Sequence, residues 1–592
     1  MFLRRSIKLS CCLTALWIFA TGSPLRGQGP PSKPRQSADQ AQAIYSQGMA
    51  ALQTGDLESA RNSFQKVVSL APSSPEGHNS LGWVLMEQGQ IDPAIAQFRS
   101  ALKLKPNFIQ AYVNLANALA SRRDFAEAQS EAQEAVRLGP GDSEAHRSLG
   151  RIKSFRGDLP GGINELQTAI SLESKRPDLY DDLGTLFEQT GKIDEAAVEF
   201  AKALQLKPDY FSAEMHLGIV RWQQHELPEA EALLVKAGRS APGNPQAHYY
   251  LGRVLEDEKK DDQAIAELKK AVALQPDFAD AQETLGLLSQ RAGNIEDAVA
   301  AFRHLVQLRP DNPDAYNNLG LALIQSGNAA SSMPEFETAI RLRPDDAGYI
   351  ENLGTAYLQR ADFDSAIKQF QAALKIAPQD ATAHYDLGLA LKLKDQLPEA
   401  IAEFQKAARL SPEQPDIHYT LGVTLWQKGD FADSEKELSA ATDAKPDYAE
   451  AYYTLGTVLK QDGKLNDAAT ALRKAIGIDP GLVGAHTNLA AILRQQGDAA
   501  GAEAENHRAQ ELFKQSNTLQ AATFNTNSGK RLLQAGDLDG AIAQFRSAIK
   551  IAPDYAPAHQ QLALALAQKG HQAEADEESR KAAQLTGGTS PR

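Results

Sequence analysis

The chain has 592 residues, a formal net charge of −14 and two cysteines, Cys11 and Cys12. The negative charge argues against binding of a nucleic-acid backbone, which calls for a basic stripe, so we expect no nucleic acid among the partners. Both cysteines lie near the N-terminus. This excludes a disulfide framework, a cysteine nucleophile and a cysteine metal site from the rest of the chain.

The first 40 residues differ from everything that follows. Residues 1–22 have the pattern of a secretory signal peptide, with basic residues before an apolar run from Leu9 to Ala20. The run is shorter than the roughly 20 residues of a membrane-spanning helix. We therefore predict export to a periplasm or to the exterior, with cleavage favoured over retention as an N-terminal membrane anchor. Residues 23–40 are rich in Pro, Gly, Ser and Gln, which predicts a disordered linker.

Residues 177–210 show most clearly the unit from which the rest of the chain is built. Leu183 and Phe187 share one face of a first helix by their spacing. Gly191 follows the end of that helix, where glycine can adopt the left-handed conformation. A second apolar stripe predicts a second helix, which Pro208 ends because proline cannot continue a helix. The unit is therefore predicted to be a helical hairpin.

Small residues and prolines recur at an interval of 34 residues. In the clearest unit, Gly184 on the first helix and Ala196 on the second allow the two backbones to approach closely. A large side chain at Gly184 is expected to cost about 1–3 kcal/mol through overpacking. The recurring prolines are Pro72, Pro106, Pro140, Pro208, Pro242, Pro276, Pro310, Pro344, Pro378, Pro412, Pro446 and Pro480.

This pattern resembles the tetratricopeptide repeat (TPR), a helix-turn-helix unit of the same length. The resemblance covers residues 41–516 as fourteen contiguous repeats and residues 522–589 as two further repeats that include a polar capping helix. Residues 517–521 are an insertion that we expect to form a longer helix or a bend, and residues 590–592 are a tail. The resemblance implies an all-α fold, a TPR-type α-solenoid in which helical hairpins stack as a right-handed superhelix.

Residue types that carry catalysis do not form a constellation apart from the repeat pattern. Most histidines occupy the position of Tyr180 in their own repeats and so lie far apart, and we interpret them as packing residues. The His-Glu-x-x-His motif is absent, and the glycines that suggest a phosphate loop are the two glycines of the repeat itself. We therefore predict no enzyme activity, no cofactor and no metal.

The family resemblance implies that the first helices line a concave groove and present the second, fifth, sixth, ninth, twelfth and thirteenth residues of each repeat. Every tryptophan outside the N-terminal segment falls on these positions, with tyrosines and asparagines between them. Tyr and Trp give a large contact area at low entropy cost. The alternative interpretation is that these side chains only fill space between neighbouring helices. The candidates for a peptide groove are Trp83, Asn114, Asn117, Arg151, Trp222, Tyr249, Asn317, Asn318, Asn352, Tyr385, Tyr419, Trp426 and Tyr453.

Three functions remain open at this point, because a fold does not define a function. The first is a non-catalytic scaffold or adaptor outside the cytoplasm, which binds an extended peptide or protein in its groove. The second is an accessory subunit of an envelope enzyme or of a secretion or assembly complex, held by the convex face. The third is a region similar to the repeats of O-linked N-acetylglucosamine transferase without a catalytic domain, because Asn114, Asn318 and Asn352 match positions of its asparagine ladder.

Overall fold

The computed structural model describes residues 33–587 of the chain. Those residues form 31 helices, α1 to α31, and no strand, as expected for an all-α repeat array. The predicted signal peptide (1–22) and the predicted tail (590–592) lie outside the described residues, as do residues 23–32 of the predicted linker.

The first helix begins earlier than the sequence pattern predicts. Helix α1 spans Lys33–Gln53, so residues 33–40 are helical although we predicted them as part of the linker. Pro34 lies in the first turn of α1, where the N–H that proline lacks has no partner within the helix. Proline therefore does not prevent the helix from starting there, and composition alone misled the prediction.

Two successive helices form each repeat. We number the repeats from Ala41, so repeat 5 begins at Pro177, and repeats 15 and 16 begin at Ala522 and Ala556. The first helices of repeats 1–14 are α1 (Lys33–Gln53), α3 (Pro75–Glu87), α5 (Ile109–Ser121), α7 (Ser143–Phe155), α9 (Pro177–Gln189), α11 (Phe211–Gln223), α13 (Pro245–Asp257), α15 (Ala279–Arg291), α17 (Pro313–Gln325), α19 (Ala347–Gln359), α21 (Ala381–Leu393), α23 (Pro415–Lys428), α25 (Ala449–Gln461) and α27 (Val483–Gln495).

The second helices alternate with them, and the last repeats follow a long shared helix. The second helices of repeats 1–13 are α2 (Leu57–Leu70), α4 (Ile91–Leu104), α6 (Phe125–Leu138), α8 (Leu159–Leu172), α10 (Ile193–Leu206), α12 (Leu227–Ser240), α14 (Asp261–Leu274), α16 (Ile295–Leu308), α18 (Ala329–Leu342), α20 (Phe363–Ile376), α22 (Leu397–Leu410), α24 (Phe431–Ala444) and α26 (Leu465–Ile478). The remaining helices are α28 (Ala499–Gln534), α29 (Leu538–Ile551), α30 (Ala556–Gln568) and α31 (Gln572–Gly587).

Close approach of the two helices holds each hairpin together. A Cβ atom added to Gly184 lies 2.7 Å from Cε1 of the Phe200 ring, so no other residue fits there without a shift of the ring. Phe200 is fully buried. Between the helices, Gly191 has φ +76°, the left-handed conformation expected at this turn. The hairpin therefore has the construction that the sequence pattern predicts.

The array divides into two compact units, one ending at Pro310 and the other beginning at Asp311. Within each unit, every first helix packs against the second helix of its own repeat, and most first helices also touch the first helix of a neighbouring repeat. Examples are α5 with α7 in the first unit and α23 with α25 in the second. Each unit therefore has a surface built from its first helices, which we call the first-helix surface.

The insertion between repeats 14 and 15 is part of one continuous helix. Helix α28 includes the second helix of repeat 14, residues 517–521 and the first helix of repeat 15. Lys514 stands where most repeats carry a proline, and no glycine or proline lies between Gly501 and Gly529. Nothing in this stretch ends a helix, so of the two predicted forms, a longer helix or a bend, the chain adopts the longer helix.

Candidate functional site

Side chains on the first-helix surface meet across the boundary between repeats. The fifth residue of one repeat lies against the sixth residue of the next, 35 residues later in the sequence. Asn352 Nδ2 donates a hydrogen bond to Asn317 Oδ1 at 2.8 Å, and the Tyr385 hydroxyl lies 3.1 Å from Thr420 Oγ1. We call this line of contacts the seam. It joins neighbouring repeats on the surface where we predicted a ligand.

In repeats 4 and 5 the seam is a buried ion-pair network. Arg147 Nε donates to Asp182 Oδ2 at 2.6 Å, and its Nη1 lies 2.7 Å from Asp178 Oδ2. Only 7% of Arg147 is exposed. Burial opposes the charge, but the carboxylates of Asp182, Glu144 and Asp178 outweigh it and raise the pKa of Arg147. The network thus satisfies its own charges.

The next contact of the seam, between repeats 5 and 6, joins an acid to a histidine. Asp181 accepts hydrogen bonds from Ser212 Oγ at 2.6 Å and from His216 Nδ1 at 2.9 Å. Burial alone lowers the pKa of His216, but the Asp181 carboxylate outweighs it and raises the pKa above its ordinary value. Repeats 4 to 6 therefore close their seam with paired charges.

Between repeats 10 and 11 the same two positions carry like charges. Glu351 and Asp386 occupy them, and the structure shows no hydrogen bond or ion pair to either carboxylate within the described residues. Burial, with Asp380 and Asp386 nearby, raises the pKa of Glu351 to about 7. Burial and Asp380 raise the pKa of Asp386 to about 6. We did not predict Glu351 and Asp386 as groove candidates. The sequence pattern that could have indicated them is a pair of like charges 35 residues apart.

In eight of the thirteen predicted groove residues, a polar group of the side chain already forms a hydrogen bond with another side chain of the array. Trp222 Nε1 donates to Asp257 Oδ2 at 2.6 Å, and Trp426 Nε1 donates to Gln461 Oε1 at 2.7 Å. The alternative interpretation, contact between neighbouring helices, is therefore part of what these side chains do. The eight are Asn114, Asn117, Trp222, Tyr249, Asn317, Asn352, Tyr385 and Trp426.

The other five candidates have no side-chain hydrogen bond within the part of the chain that the structure describes. All five are half-buried on first helices. A ligand can engage their polar groups without breaking a contact of the fold. They are Trp83, Arg151, Asn318, Tyr419 and Tyr453.

The two tryptophans at the twelfth position differ in what surrounds their rings. The Arg253 guanidinium lies 5.2 Å from the ring centre of Trp222, and the Tyr250 ring lies 6.2 Å away. The ring of Trp426 is half-buried against the core cluster that includes Leu455, and no aromatic or cationic side chain of the described residues stacks on it. A face of the Trp426 ring is therefore available to a ligand, whereas the Trp222 ring is already in contact with Arg253 and Tyr250.

Lys392 lies on α21, one repeat before Trp426, and its amine has no hydrogen-bond partner within the described residues. Its side chain is half-buried. Burial lowers the pKa of Lys392. At the same position of repeat 13, Lys460 Nζ donates a hydrogen bond to Asn488 Oδ1 at 3.0 Å. The twelfth position thus reads Lys, Trp, Lys across repeats 11 to 13.

The recurring histidines lie in one type of hydrogen-bonded contact. His418 Nδ1 is 2.7 Å from Glu437 Oε2, and His418 Nε2 is 3.0 Å from the backbone carbonyl of Pro412. Both partners are acceptors, so both contacts are hydrogen bonds only when the ring carries two protons. The position of the histidine between the two helices of its hairpin gives it a structural role. The same contacts are made by His78 (to Gln97), His146, His248, His384, His486 and His559.

No three His, Cys, Asp or Glu side chains between residues 33 and 587 are grouped so as to hold a metal ion. None of the described helices combines the length and the apolar character needed to cross a bilayer.

Comparison with known proteins identifies the repeats. A profile described as "Tetratricopeptide repeat" matches residues 45–107, 215–279, 283–347, 352–415 and 419–483, which is more than half of the chain. Other tetratricopeptide and TPR profiles match residues 85–152, 177–210, 483–505 and 529–570. A comparison with curated proteins finds no match.

Several solved structures are similar to this chain over part or most of its length. MamA from Desulfovibrio magneticus is 25% identical, with 29% of this chain and 96% of that one covered and a TM-score of 0.27. YrrB, described as a TPR protein with an unusual peptide-binding site, is 21% identical over 33% and 97%, with a TM-score of 0.27. The Cut9–Hcn1 hetero-tetramer of the APC/C is 14% identical over 90% and 98%, with a TM-score of 0.34. On the repeat profiles, this chain belongs to the tetratricopeptide-repeat family.

Proposed function

We propose that the first-helix surface of repeats 11–13 binds an extended peptide or protein segment, so that the protein is a non-catalytic adaptor. TPR arrays are typical of protein–protein interaction scaffolds, which supports the general class. The observation that carries the proposal is a combination on three successive first helices: polar groups without a hydrogen-bond partner within the described residues, and a tryptophan ring on which no aromatic or cationic side chain stacks. Lys392 on α21, Tyr419 and Trp426 on α23 and Tyr453 on α25 all lie on this surface.

Each of these groups suits an extended chain. The Tyr419 and Tyr453 hydroxyls both donate and accept hydrogen bonds, so they can satisfy peptide N–H and C=O groups. The half-buried ring of Trp426 supplies apolar area, and aromatic side chains of this kind dominate the energetics of many interfaces. Lys392 supplies a positive charge in an otherwise acidic chain. Repeats 4–6 are less suited because their seam already satisfies its charges.

The test is capture of partners from an envelope extract by the full chain, with mass spectrometry of the retained proteins. The variant Trp426→Ala with Tyr453→Phe removes one ring and one hydroxyl from the proposed site. Trp222→Ala is the matched control, because Trp222 has the same residue type and repeat position but a ring already in use. We expect a partner that the native chain and the control retain and the double variant loses.

A variant on the opposite helices distinguishes the accessory-subunit alternative. Lys436 is exposed on α24, the second helix of repeat 12. If Lys436→Glu releases the partner and the double variant retains it, the interface lies on the second helices and the proposed site is wrong. If both retain it, neither surface of repeat 12 is the interface.

We also propose that the protein acts outside the cytoplasm, in a periplasm or in the extracellular space. The support is the sequence of residues 1–22, with basic residues followed by a short apolar run. Fusion of residues 1–40 to a reporter enzyme that is active only after export tests this. Replacement of the apolar run with polar residues is the control and should abolish reporter activity.

A further inference from the structure

The long helix α28 interrupts the regular packing between repeats. The third residue of a repeat is normally buried against the second helix of the repeat before it; Ala451 and Ala485 are examples at 0% exposure. In repeat 15 the third residue is Phe524, and 67% of it is exposed. Because α28 continues without a turn, no second helix folds back to cover this position.

The second-helix surface that would normally cover such a residue lies on α28 as well. Residues of α28 up to Leu512 are the second helix of repeat 14, which the first helix of a following repeat would normally cover. Phe513, directly after them, is 60% exposed. Phe513 and Phe524 are the two most exposed of the large apolar residues in the described chain. They are eleven residues apart, about three helical turns, so they lie on the same face of α28.

We propose that this face of α28 binds the same face of a second copy of the chain, with the two helices antiparallel. In a regular stack, the second helix of one repeat runs antiparallel to the first helix of the next. Two antiparallel α28 helices recreate that arrangement twice. The second helix of repeat 14 in one copy (residues 499–512) covers Phe524 of the other copy. The two-fold symmetry gives the same contact with the two copies exchanged.

The position of the symmetry axis follows from the two phenylalanines. Phe513 of one copy lies opposite Phe524 of the other when the axis passes between Thr518 and Leu519. Arg531 then lies opposite Asn506 and within one turn of Glu503. Arg531 and Glu503 are both exposed, and neither forms an ion pair within the described residues. The pairing therefore joins opposite charges at both ends of the contact.

A second copy fits this face better than an unrelated protein, because both halves of the interrupted contact are on one helix. An isologous pair uses both halves and leaves no surface for further addition, so it closes as a dimer. The second helix of repeat 14 also carries Asn506 where most repeats have Phe or Leu, and Gln510 where they have an apolar residue. A polar face of this kind suits a contact between folded, soluble chains.

The first test measures molar mass by light scattering during size-exclusion chromatography of the full chain. We expect the mass of a dimer for the native chain and half that mass for Phe513→Glu with Phe524→Glu. Leu393→Glu is the control, since Leu393 is also 57% exposed but lies on α21. Circular dichroism must show unchanged helix content in all variants. A native chain that is monomeric at every concentration, or a double variant that remains dimeric, overturns the proposal.

The second test establishes the direction of the helices by disulfide formation, in a background with Cys11→Ser and Cys12→Ser. Chains with Phe513→Cys are mixed with chains with Phe524→Cys and oxidised. The antiparallel pair predicts a mixed disulfide and little disulfide from either variant alone, because equal residues then lie about 16 Å apart along the helix. Efficient disulfide formation by each variant alone indicates parallel helices. No disulfide in any mixture excludes the contact, and both results overturn the proposal.

Discussion

The seam in repeats 4–6 and the seam in repeats 10 and 11 use the same repeat positions for opposite purposes. In the first, Arg147 and Asp182 form a buried ion pair. In the second, Glu351 and Asp386 bring two carboxylates together without a partner from the described chain. The comparison shows that the fold needs these positions filled but does not need them paired. Complementary charges join two repeats firmly, whereas like charges leave the boundary less stable.

Loss of Arg147 should produce the largest effect. Arg147→Met keeps most of the side-chain volume but leaves the half-buried Asp182 without its cation and leaves Asp178 paired only with Arg176. Removing one partner from a buried ion pair typically costs about 3–5 kcal/mol, because the remaining charge is not compensated. Urea unfolding of the full chain, with hydrogen exchange of the α7 and α9 amides, measures the loss.

Arg151 provides the control for this prediction. It lies one turn further along α7, is half-buried and has no ion pair within the described residues. Arg151→Met should change the free energy of unfolding by about 0.5 kcal/mol or less. Equal effects of the two substitutions would show that the Arg147 network does not stabilise repeats 4–6.

Neutralising the acidic contact should stabilise repeats 10 and 11. The pKa values of about 7 for Glu351 and about 6 for Asp386 lie above the ordinary values of such carboxyl groups. The folded state therefore binds more protons than the unfolded state between about pH 4 and pH 7, and stability falls as the pH rises through this window. Glu351→Gln with Asp386→Asn should raise the unfolding free energy by about 1–2 kcal/mol at pH 8.

The pH dependence distinguishes this effect from a general gain in packing. Below about pH 4 the native carboxyl groups are protonated, so the double variant and the native chain should have equal stability. Hydrogen exchange of the α19 and α21 amides at several pH values measures the difference. Glu413→Gln, at an exposed position after α22, is the control. A gain that is the same at pH 4 and pH 8 contradicts the assignment to these carboxylates.

The hairpins were predictable from the sequence because their contacts are local. The 34-residue interval located Gly184 against the second helix of its own repeat, and Phe200 is the ring that fills this contact. The absence of glycine and proline between Gly501 and Gly529 agrees with the continuous helix α28. The sequence did not exclude a bend, because a turn can also form without these residues. The start of α1 at Lys33 was not predictable from composition, since a proline in the first turn is compatible with a helix.

The use of individual groove residues was not predictable, because it depends on the relative position of two neighbouring repeats. Asn318 and Asn352 are both the sixth residue of a repeat, and the sequence gives no reason to separate them. The structure shows that Asn352 bonds Asn317, while the Asn318 amide bonds no side chain of the described residues. Contacts 35 residues apart require the rotation between repeats, which the repeat pattern does not contain.

These two asparagines give the smallest predicted effect. Asn352→Ala removes a half-buried neutral hydrogen bond and should lower the unfolding free energy by about 1 kcal/mol, without the pH dependence of the acidic contact. Asn318→Ala should have almost no effect on stability, because its amide supports no contact of the fold. Hydrogen exchange of the α17 and α19 amides measures both. If the two substitutions cost the same, the seam hydrogen bond adds nothing at this boundary, and only charged contacts of the seam distinguish one pair of repeats from another.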